Sequence, residues 1–338
     1  MATLAANLLT MVDWAKRVDP DGKTAYIAEL LSQTNSMVDD ILMKEGNLPT
    51  GEQTSIRTGL PTVYYRLTNQ GTPNSKSTTA QVTENASLLE ARSQIDQDEA
   101  ELNGNTSTYR LSEAEAFMEA MSQKFAETLI YGTAANPEEF VGFAPRYSDT
   151  SAANGENILL AGGSGSDNTS IFLVGWGAKS TFGVFPKGSK VGITHEDLGL
   201  GDAFDSNNDR FRAYMDLYKL KAGLVVKDWR YVARIPNIDV SDLAGLTGTQ
   251  AITASTSIIK LMSRAIDRLP TTAGIKPCFY ANRTVLSHLR LIGLEKSSSA
   301  VTVEPAINQF GQSIQEIKFL GVPVRLNDAI INAEALVS

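Results

Sequence analysis

Leu111-Ser112-Glu113-Ala114-Glu115-Ala116-Phe117-Met118-Glu119-Ala120-Met121-Ser122-Gln123-Lys124-Phe125-Ala126-Glu127-Thr128-Leu129-Ile130-Tyr131-Gly132 is the stretch around which the chain is organised. Leu111, Ala114, Phe117, Met118, Met121, Phe125 and Leu129 recur at steps of three and four. That spacing places them on one face of an α-helix over residues 112–131. Ser112 with Glu115 three residues on reads as a capping box, and Gly132 stands where a helix end favours a left-handed residue. About twenty residues of helix span roughly 30 Å, a full domain width. Periodicity alone describes an ordinary core helix. A long polar stretch before it and glycine-rich strand signals after it make it a spine joining an extended arm to a compact body.

Upstream, two further helical patterns run over residues 3–17 (Leu4, Leu8, Met11, Val12, Ala15) and 24–43 (Ile27, Leu30, Leu31, Met37, Val38, Ile41, Leu42), separated by Asp19-Pro20-Asp21-Gly22. Neither carries a core of its own, so each must pack on something else. Residues 47–104 change character. Ser55 to Pro61 and Val63 to Leu67 read as extended segments, and Asn69 to Ser75 as a turn-rich tip. A returning arm runs through Thr79, Gln81 and Thr83 to Leu88, Leu89 and Ile95. A two-stranded excursion with so little apolar surface is marginal in water by itself. So long a polar excursion in a compact domain is ordinarily functional. It either lies across a neighbouring subunit or decorates the surface of a monomer.

Downstream, Phe140 to Arg146 reads as a structured turn and Ser148 to Ser170 as a polar loop with an apolar insert at Ile158-Leu159-Leu160. Ile171 to Val174 and Phe182 to Phe185 read as strands. Tyr214, Asp216, Tyr218 and Leu220 alternate, as do Trp229, Tyr231, Ala233 and Ile235, with Gly223 to Val226 between and Asn237-Ile238-Asp239 closing the sheet. Ile258 to Leu269 forms an amphipathic helix stopped by Pro270. Pro277 to Tyr280 is a buried strand. Asn282 caps a helix carrying Val285, Leu286, Leu289 and Ile292, with Gly293 past its end. Ser297 to Ser299 is a loop, and Ile314 to Leu320 and Val322 to Val324 are the last strands, around Gly321. The fold class is α+β.

The 338 residues suffice for about two domains, and a formal net charge of −8 gives no bulk electrostatic grip on nucleic acid. The single Cys278 excludes an intrachain disulfide framework and a cysteine-cluster metal site. There is no apolar run long enough for a transmembrane helix. Met1 to Val12 lacks a basic opening and is broken by Asn7, with Asp13 beyond, so it does not read as a signal peptide, and folding in a cytoplasm is expected.

The search for chemistry returns no catalytic, cofactor-binding or metal site. Gly175 to Thr181 resembles a phosphate loop only loosely, since its glycines stand two apart and Ala178 precedes Lys179. Asp205 to Asp209, with Asp216 at the twelfth place, partly matches a calcium loop, but Arg210 occupies the place that needs glycine. A solvated acidic turn is the simpler reading. His195 in a polar loop and His288 in a helix have no Gly-x-Ser-x-Gly elbow to serve, and Cys278 reads as a small core residue. The acid pairs Glu113 and Glu115, Glu138 and Glu139, Asp96 and Asp98 sit in solvated contexts. Gly162 to Gly165 reads as a flexible loop. Trp229 and Tyr231 beside Lys227, Arg230 and Arg234 read as one buried and one wet strand face in preference to a nucleic-acid surface.

Several stretches together resemble the tailed-bacteriophage major capsid proteins with the HK97-type fold. They are Arg57 to Val63 with Val82-Thr83-Glu84, Phe140 to Arg146 after the long helix, Gly223 to Ile235 leading to Asn237-Ile238-Asp239, and Phe319 to Arg325. The resemblance covers nearly the whole chain. It implies an N-terminal arm (1–46) and an extended loop lying over an adjacent subunit (47–105). It further implies a peripheral domain with the spine helix (106–165 plus 311–338) and an axial domain meeting at the five- and six-fold axes (166–310). It implies self-assembly as pentamers and hexamers into an icosahedral shell around a DNA genome, a place in the virion after synthesis in the host bacterial cytoplasm, and no enzymatic activity. The implied partners are further copies, a portal, a separate scaffolding protein and a cement or decoration protein, with no specific nucleic-acid site and no membrane. Some members crosslink a loop lysine to an asparagine. Lys76 is near the tip here, but no asparagine matches the acceptor, so that chemistry is not carried over. Two other readings stay open: an encapsulin-like shell of the same fold, and a soluble binding or hydrolytic protein with an unusual hairpin.

Overall fold

The computed structural model describes residues 32–102, 106–205, 207–245, 258–294, 301–307 and 313–338. In chain order the elements are α1 (Ser36–Asp40), β1 (Met43–Glu45), β2 (Gly51–Gly59), β3 (Thr78–Asn85), β4 (Ser87–Asp96), α2 (Gln97–Glu101), α3 (Thr106–Tyr131), α4 (Phe143–Arg146), β5 (Asn168–Trp176), β6 (Thr181–Phe185), β7 (Ile193–Phe204), β8 (Arg210–Val226), β9 (Val232–Asp239), α5 (Val240–Gly245), α6 (Ile258–Asp267), β10 (Lys276–Ala281), α7 (Arg283–Leu294), β11 (Val301–Ile307), β12 (Ser313–Phe319) and β13 (Val322–Leu326).

β5 is the centre of the sheet. Every residue from Asn168 to Trp176 is buried, the pattern of a strand covered on both faces. Its alternation sorts two cores. Phe172, Val174 and Trp176 face the layer of α3 and α4, with Met121, Phe125, Leu129, Phe143 and Tyr147. Ile171 and Leu173 face α6 and α7, with Leu261, Met262, Val285 and Leu289. β5 runs antiparallel to β9 on one side and β10 on the other. β10 continues through parallel β13 to β12 and β11. β8 links two regions of sheet. Its end, Gly223 to Val226, pairs with β6, and its earlier residues pair with β4 on one edge and β7 on the other.

Several expectations hold. The sheet is mixed and helices cover it, so the α+β class stands. Asn282 caps α7, its Oδ1 accepting from the Val285 N–H at 3.0 Å. Leu320 (φ 48) and Gly321 (φ 81) form the tight turn between β12 and β13. Cys278 is buried in β10.

Others need correction. The spine helix begins at Thr106, so Ser112 lies inside it and caps nothing. Gly132 is outside the left-handed region. A Cβ there would lie 2.3 Å from the Phe140 carbonyl oxygen, so close approach of backbones is what requires glycine. The helix over 24–43 survives, within the described residues, only as α1. Ile41 turns to extended backbone and Met43 to Glu45 pair with β6. The patterns over 3–17 and up to residue 31 lie outside the described residues, as does the Ser297 to Ser299 loop.

The long hairpin ends earlier than its polarity suggests. β2 and β3 form a two-stranded ribbon, but Leu88, Leu89 and Ile95 belong to β4, which pairs with β8 in the main sheet. Val63 to Leu67 is not strand. β5 and β6 meet only where Trp176 pairs with Thr181. Trp229 to Tyr231 is a turn of 3-10 helix, with β9 starting at Val232. Gly293 lies within α7. β11 had no clear signal in the sequence.

Candidate functional site

The β2–β3 ribbon leaves the body as an arm about 30 Å long, given nine residues at about 3.3 Å each. Its base is tightly held. The Arg146 guanidinium forks onto Glu84, Nη1 to Oε1 at 2.6 Å and Nη2 to Oε2 at 2.7 Å, with both side chains mostly buried. A bidentate, partly desolvated pair of this kind fixes orientation as well as distance. Glu52, also buried, accepts from the Asn47 N–H at 2.9 Å and meets Lys227 Nζ at 3.2 Å. Gly51 passes so close to β3 that a Cβ would stand 2.0 Å from the Glu84 carbonyl oxygen. Two stretches that carry the family resemblance, one ending in Glu84 and the other in Arg146, are thus joined by one ion pair.

Between β2 and its polar turn the arm exposes apolar side chains. Leu60 is 80% exposed, Val63 87% and Leu67 70%, and Tyr65 is fully exposed. Full burial of each aliphatic or aromatic side chain is worth roughly 1.5–3 kcal/mol. Large apolar side chains left exposed on a rigidly based arm make a surface built to be covered.

A second network closes the body behind the ribbon. Arg234 and Glu334 are 4% and 3% exposed and meet at 2.8 Å. Arg234 also donates to the Ser170 hydroxyl (3.1 Å) and to the Ala144 and Tyr147 carbonyls (3.0 and 2.9 Å). Glu334 accepts from Ser170 and, at 2.5 Å, from the Tyr131 hydroxyl. Burial pushes the Tyr131 phenol far above its ordinary pKa and Glu334 adds to it, so it stays a donor. Asn237, at φ 60, holds the Val337 peptide with its amide, donating at 2.8 Å and accepting at 3.0 Å. These contacts pin residues 331–338 across β5, β9 and α3.

The residues singled out for chemistry turn out to have structural partners. Gly175 to Thr181 is the β5–β6 turn, with the Ser180 hydroxyl donating to the Gly175 carbonyl at 2.7 Å. Asp205 closes the β7–β8 turn by accepting from the Asn207 and Asp209 N–H groups at 2.8 Å. Asp216 is well away from that turn, in β8. It is buried and bound by Arg110 of α3 at 2.7 Å and by His195 Nε2 at 2.8 Å. His195 lies in β7, a strand where a loop is expected. Arg110 also reaches Asp197 at 2.9 Å. That hydrogen bond holds the Asp197 carboxyl below its ordinary pKa, helped by the Gly199 N–H.

Glu139 meets Lys124 at 3.3 Å, and Asp96 caps α2 through the Asp98 N–H. The Gly162 to Gly165 stretch is tied, its Gly163 N–H donating to the Asn237 carbonyl at 2.8 Å. Arg234 is buried and Arg230 folds back on Asp228 at 2.7 Å, so these two do not form a basic face. His288 is buried in α7. Among the described residues no cluster of three or more His, Cys, Asp or Glu could hold a metal ion, and no helix is long and apolar enough to cross a membrane.

Sequence reasoning missed Arg146–Glu84 and Arg234–Glu334. Their partners lie 62 and 100 residues apart, beyond any local pattern.

A family model described as major capsid protein GP7 matches residues 19–338. The chain is similar to a chain of the bacteriophage Epsilon15 structure, with 30% identity and a TM-score of 0.78 over 100% of this chain and 99% of that one. It is similar in fold to the bacteriophage JBD30 capsid, at 10% identity and a TM-score of 0.50 over 91% of this chain and 96% of that one. No curated protein sequence matches.

Proposed function

The chain belongs to the major capsid protein GP7 family, and from that premise we propose how this tailed-phage shell protein meets its neighbours and what else it works with. Many copies of it build the icosahedral shell of a virion. In our reading they group as pentamers and hexamers around a DNA genome, after synthesis in the host bacterial cytoplasm. A portal, a separate scaffolding protein and a cement or decoration protein are its further partners. The division into arm (1–46), extended loop (47–105), peripheral domain (106–165 with 311–338) and axial domain (166–310) is part of the same proposal. Within it, the free part of the loop narrows to Gly51–Asn85, because β4 is built into the sheet. On the same proposal no residue among those described serves as a catalyst, cofactor ligand or metal ligand. The local contacts support this, since Asp216, His195, Arg234 and Ser180 are all engaged in holding the subunit together. The acidic balance suits a wall that should not hold packaged DNA.

One observation carries the mode of assembly: exposed apolar side chains between Leu60 and Leu67 on an arm anchored by buried ion pairs. A shell needs many modest contacts, and an arm that buries little on its own chain and much on a neighbour supplies one. The test is negative-stain electron microscopy of the purified chain, alone and with its genomic neighbours, beside a variant in which Asn-Gly replaces residues 60–77. The parent should give closed shells. The variant should keep its unfolding midpoint within a few degrees and give no shells. Shells from the variant, or only small particles from the parent under every condition, would sink the proposal. The nucleic-acid content of the particles separates a genome container from a shell that encloses enzymes.

A further inference from the structure

The C-terminal strap, residues 331–338, is held by polar contacts and little else. Only Glu334 and Val337 are buried in it, and its other residues are exposed. Its pairing with a strand is a single bridge, in which the Glu334 N–H donates to the Asn168 carbonyl at 2.9 Å. The Glu334 carboxylate meets Arg234, Ser170 and Tyr131, and Asn237 clasps the Val337 peptide. The Ile331 N–H donates to the Tyr131 hydroxyl at 3.1 Å, and its carbonyl accepts from the Thr169 hydroxyl at 2.9 Å. A segment that buries so little apolar surface opens at a lower free energy than the core beneath it. It opens as a unit, because a carboxylate that has lost some partners without reaching water is worse off than one fully bound or fully hydrated.

The contacts of the strap continue to the base of the ribbon. Arg234, paired with Glu334, donates to the Ala144 and Tyr147 carbonyls. Carbonyls at the end of a helix as short as α4 need donors from outside it. Between these two residues lies Arg146, whose guanidinium forks onto Glu84 of β3. The loop after α4 is tied at both ends of this path. The Ser338 carbonyl accepts from the Thr150 N–H at 3.2 Å, and the Asn154 amide donates to the Arg146 carbonyl at 2.7 Å.

We propose that the strap is a latch for the ribbon. Seated, it fixes α4 through Arg234 and so sets the direction of Arg146. Released, it lets α4 shift, and the Arg146–Glu84 fork loosens so that the arm swings about its base. A small shift suffices, since a bidentate pair is specific in angle as well as distance. The coupling lies within one chain and does not depend on how copies pack, so it goes beyond the shell reading and is tested apart from it.

Asn237 stands at φ 60, which glycine adopts without strain, so Asn237→Gly removes the clasp on Val337 and strands no charge. Hydrogen–deuterium exchange of the unassembled full chain, followed by mass spectrometry, reads the result. Residues 331–338 should exchange about tenfold faster than in the parent, the worth of the one or two hydrogen bonds removed. Residues 47–52 and 84–86, at the ribbon base, should speed up with them by about threefold or more. Residues 276–281 in β10 should keep the parent rate. A faster strap above an unchanged ribbon base would overturn the inference, and so would an equal rise in all three regions, which marks general loosening. If the strap keeps its protection, Glu334→Gln takes the place of Asn237→Gly, and protection kept in both variants also overturns it.

A lock supplies the converse. Cys278 is buried, so Thr150→Cys with Ser338→Cys introduces accessible thiols where the strap and the loop already meet. Oxidised in the Asn237→Gly background, the pair should return both strap and ribbon base to the parent rate. A ribbon base that stays fast beneath a locked strap would count against the latch.

Discussion

Arg234 and Glu334 form a buried ion pair that ties the C-terminal residues to the sheet. Both are almost fully buried, and Arg234 additionally serves Ser170 and two carbonyls. Removing one member of such a pair strands the other charge away from water, at a cost of about 3–5 kcal/mol. Glu334→Gln is therefore expected to lower the free subunit's unfolding free energy by that amount, read from denaturant titration. A loss under about 1 kcal/mol would show that the site relaxes and admits water. Adding Arg234→Met should recover only part of the loss, because the Ala144 and Tyr147 carbonyls would then lose their donor. None of this was legible in the sequence. Arg234 sits in an alternating run beside Trp229 and Tyr231 and reads as a strand residue among cations. Its partner lies 100 residues on, in a stretch with no periodic pattern. Glycines were half legible. Gly132 was placed correctly at a helix end, but the reason lies in the Phe140 carbonyl, which no local rule reveals.

Elements were legible where burial imposes a period. The helices at 258–267 and 283–294 and the strands at β5, β10, β12 and β13 follow directly from their apolar spacing. α3 shows the limit of that reasoning. Its longest apolar stripe is not one buried face, because Leu111 and Met118 point outward while Met121, Phe125 and Leu129 point inward. A helix with two apolar surfaces gives the same repeat as a helix with one wide surface. β4 escaped for the opposite reason. Its alternation of exposed and half-buried residues matches a free ribbon, and only pairing with β8 distinguishes it.

The tie between α3 and β7 carries a pH signature. Asp197 is held below its ordinary pKa of 3.8 by Arg110. A carboxylate lowered on folding contributes stability that is present above its unfolded pKa and is lost as pH falls through the folded value. Stability from this contact should thus be flat between pH 5 and 8 and decline only below about pH 4. Asp197→Asn should lower the neutral plateau slightly, since the group is exposed and screened, and leave stability near pH 3 unchanged, so that the acid-side decline shrinks by the same amount. An equal change at pH 7 and pH 3.5 in thermal unfolding would show that the contact acts by packing instead.

At the scale of the whole molecule two electrostatic effects oppose each other, and distance decides between them. Every copy carries −8, so copies repel as they approach. The ribbon, with Arg57, Arg66 and Lys76 and no acid between Thr54 and Thr83, attracts such a neighbour only at contact. The Debye length is about 30 Å at 0.01 M salt, 8 Å at 0.15 M and 3 Å at 1 M. At the lowest salt, repulsion reaches across a subunit and opposes every encounter. Near 0.15 M it is confined to adjoining surfaces, where the ribbon's cations can pair with acids of a neighbouring copy. Toward 1 M the contact pairs are screened as well, and burial of Leu60, Val63, Tyr65 and Leu67 is left to hold the arm. The initial assembly rate, followed by light scattering, is therefore expected to rise from 0.01 to 0.15 M and to level off or fall beyond it. The ribbon variant Arg66→Glu with Lys76→Glu should instead rise throughout, because it has lost its attraction and keeps only repulsion to be screened. A parent rate that falls steadily from the lowest salt would mean that contact attraction outweighs the net charge even at long range, and would place the dominant charges elsewhere than the ribbon.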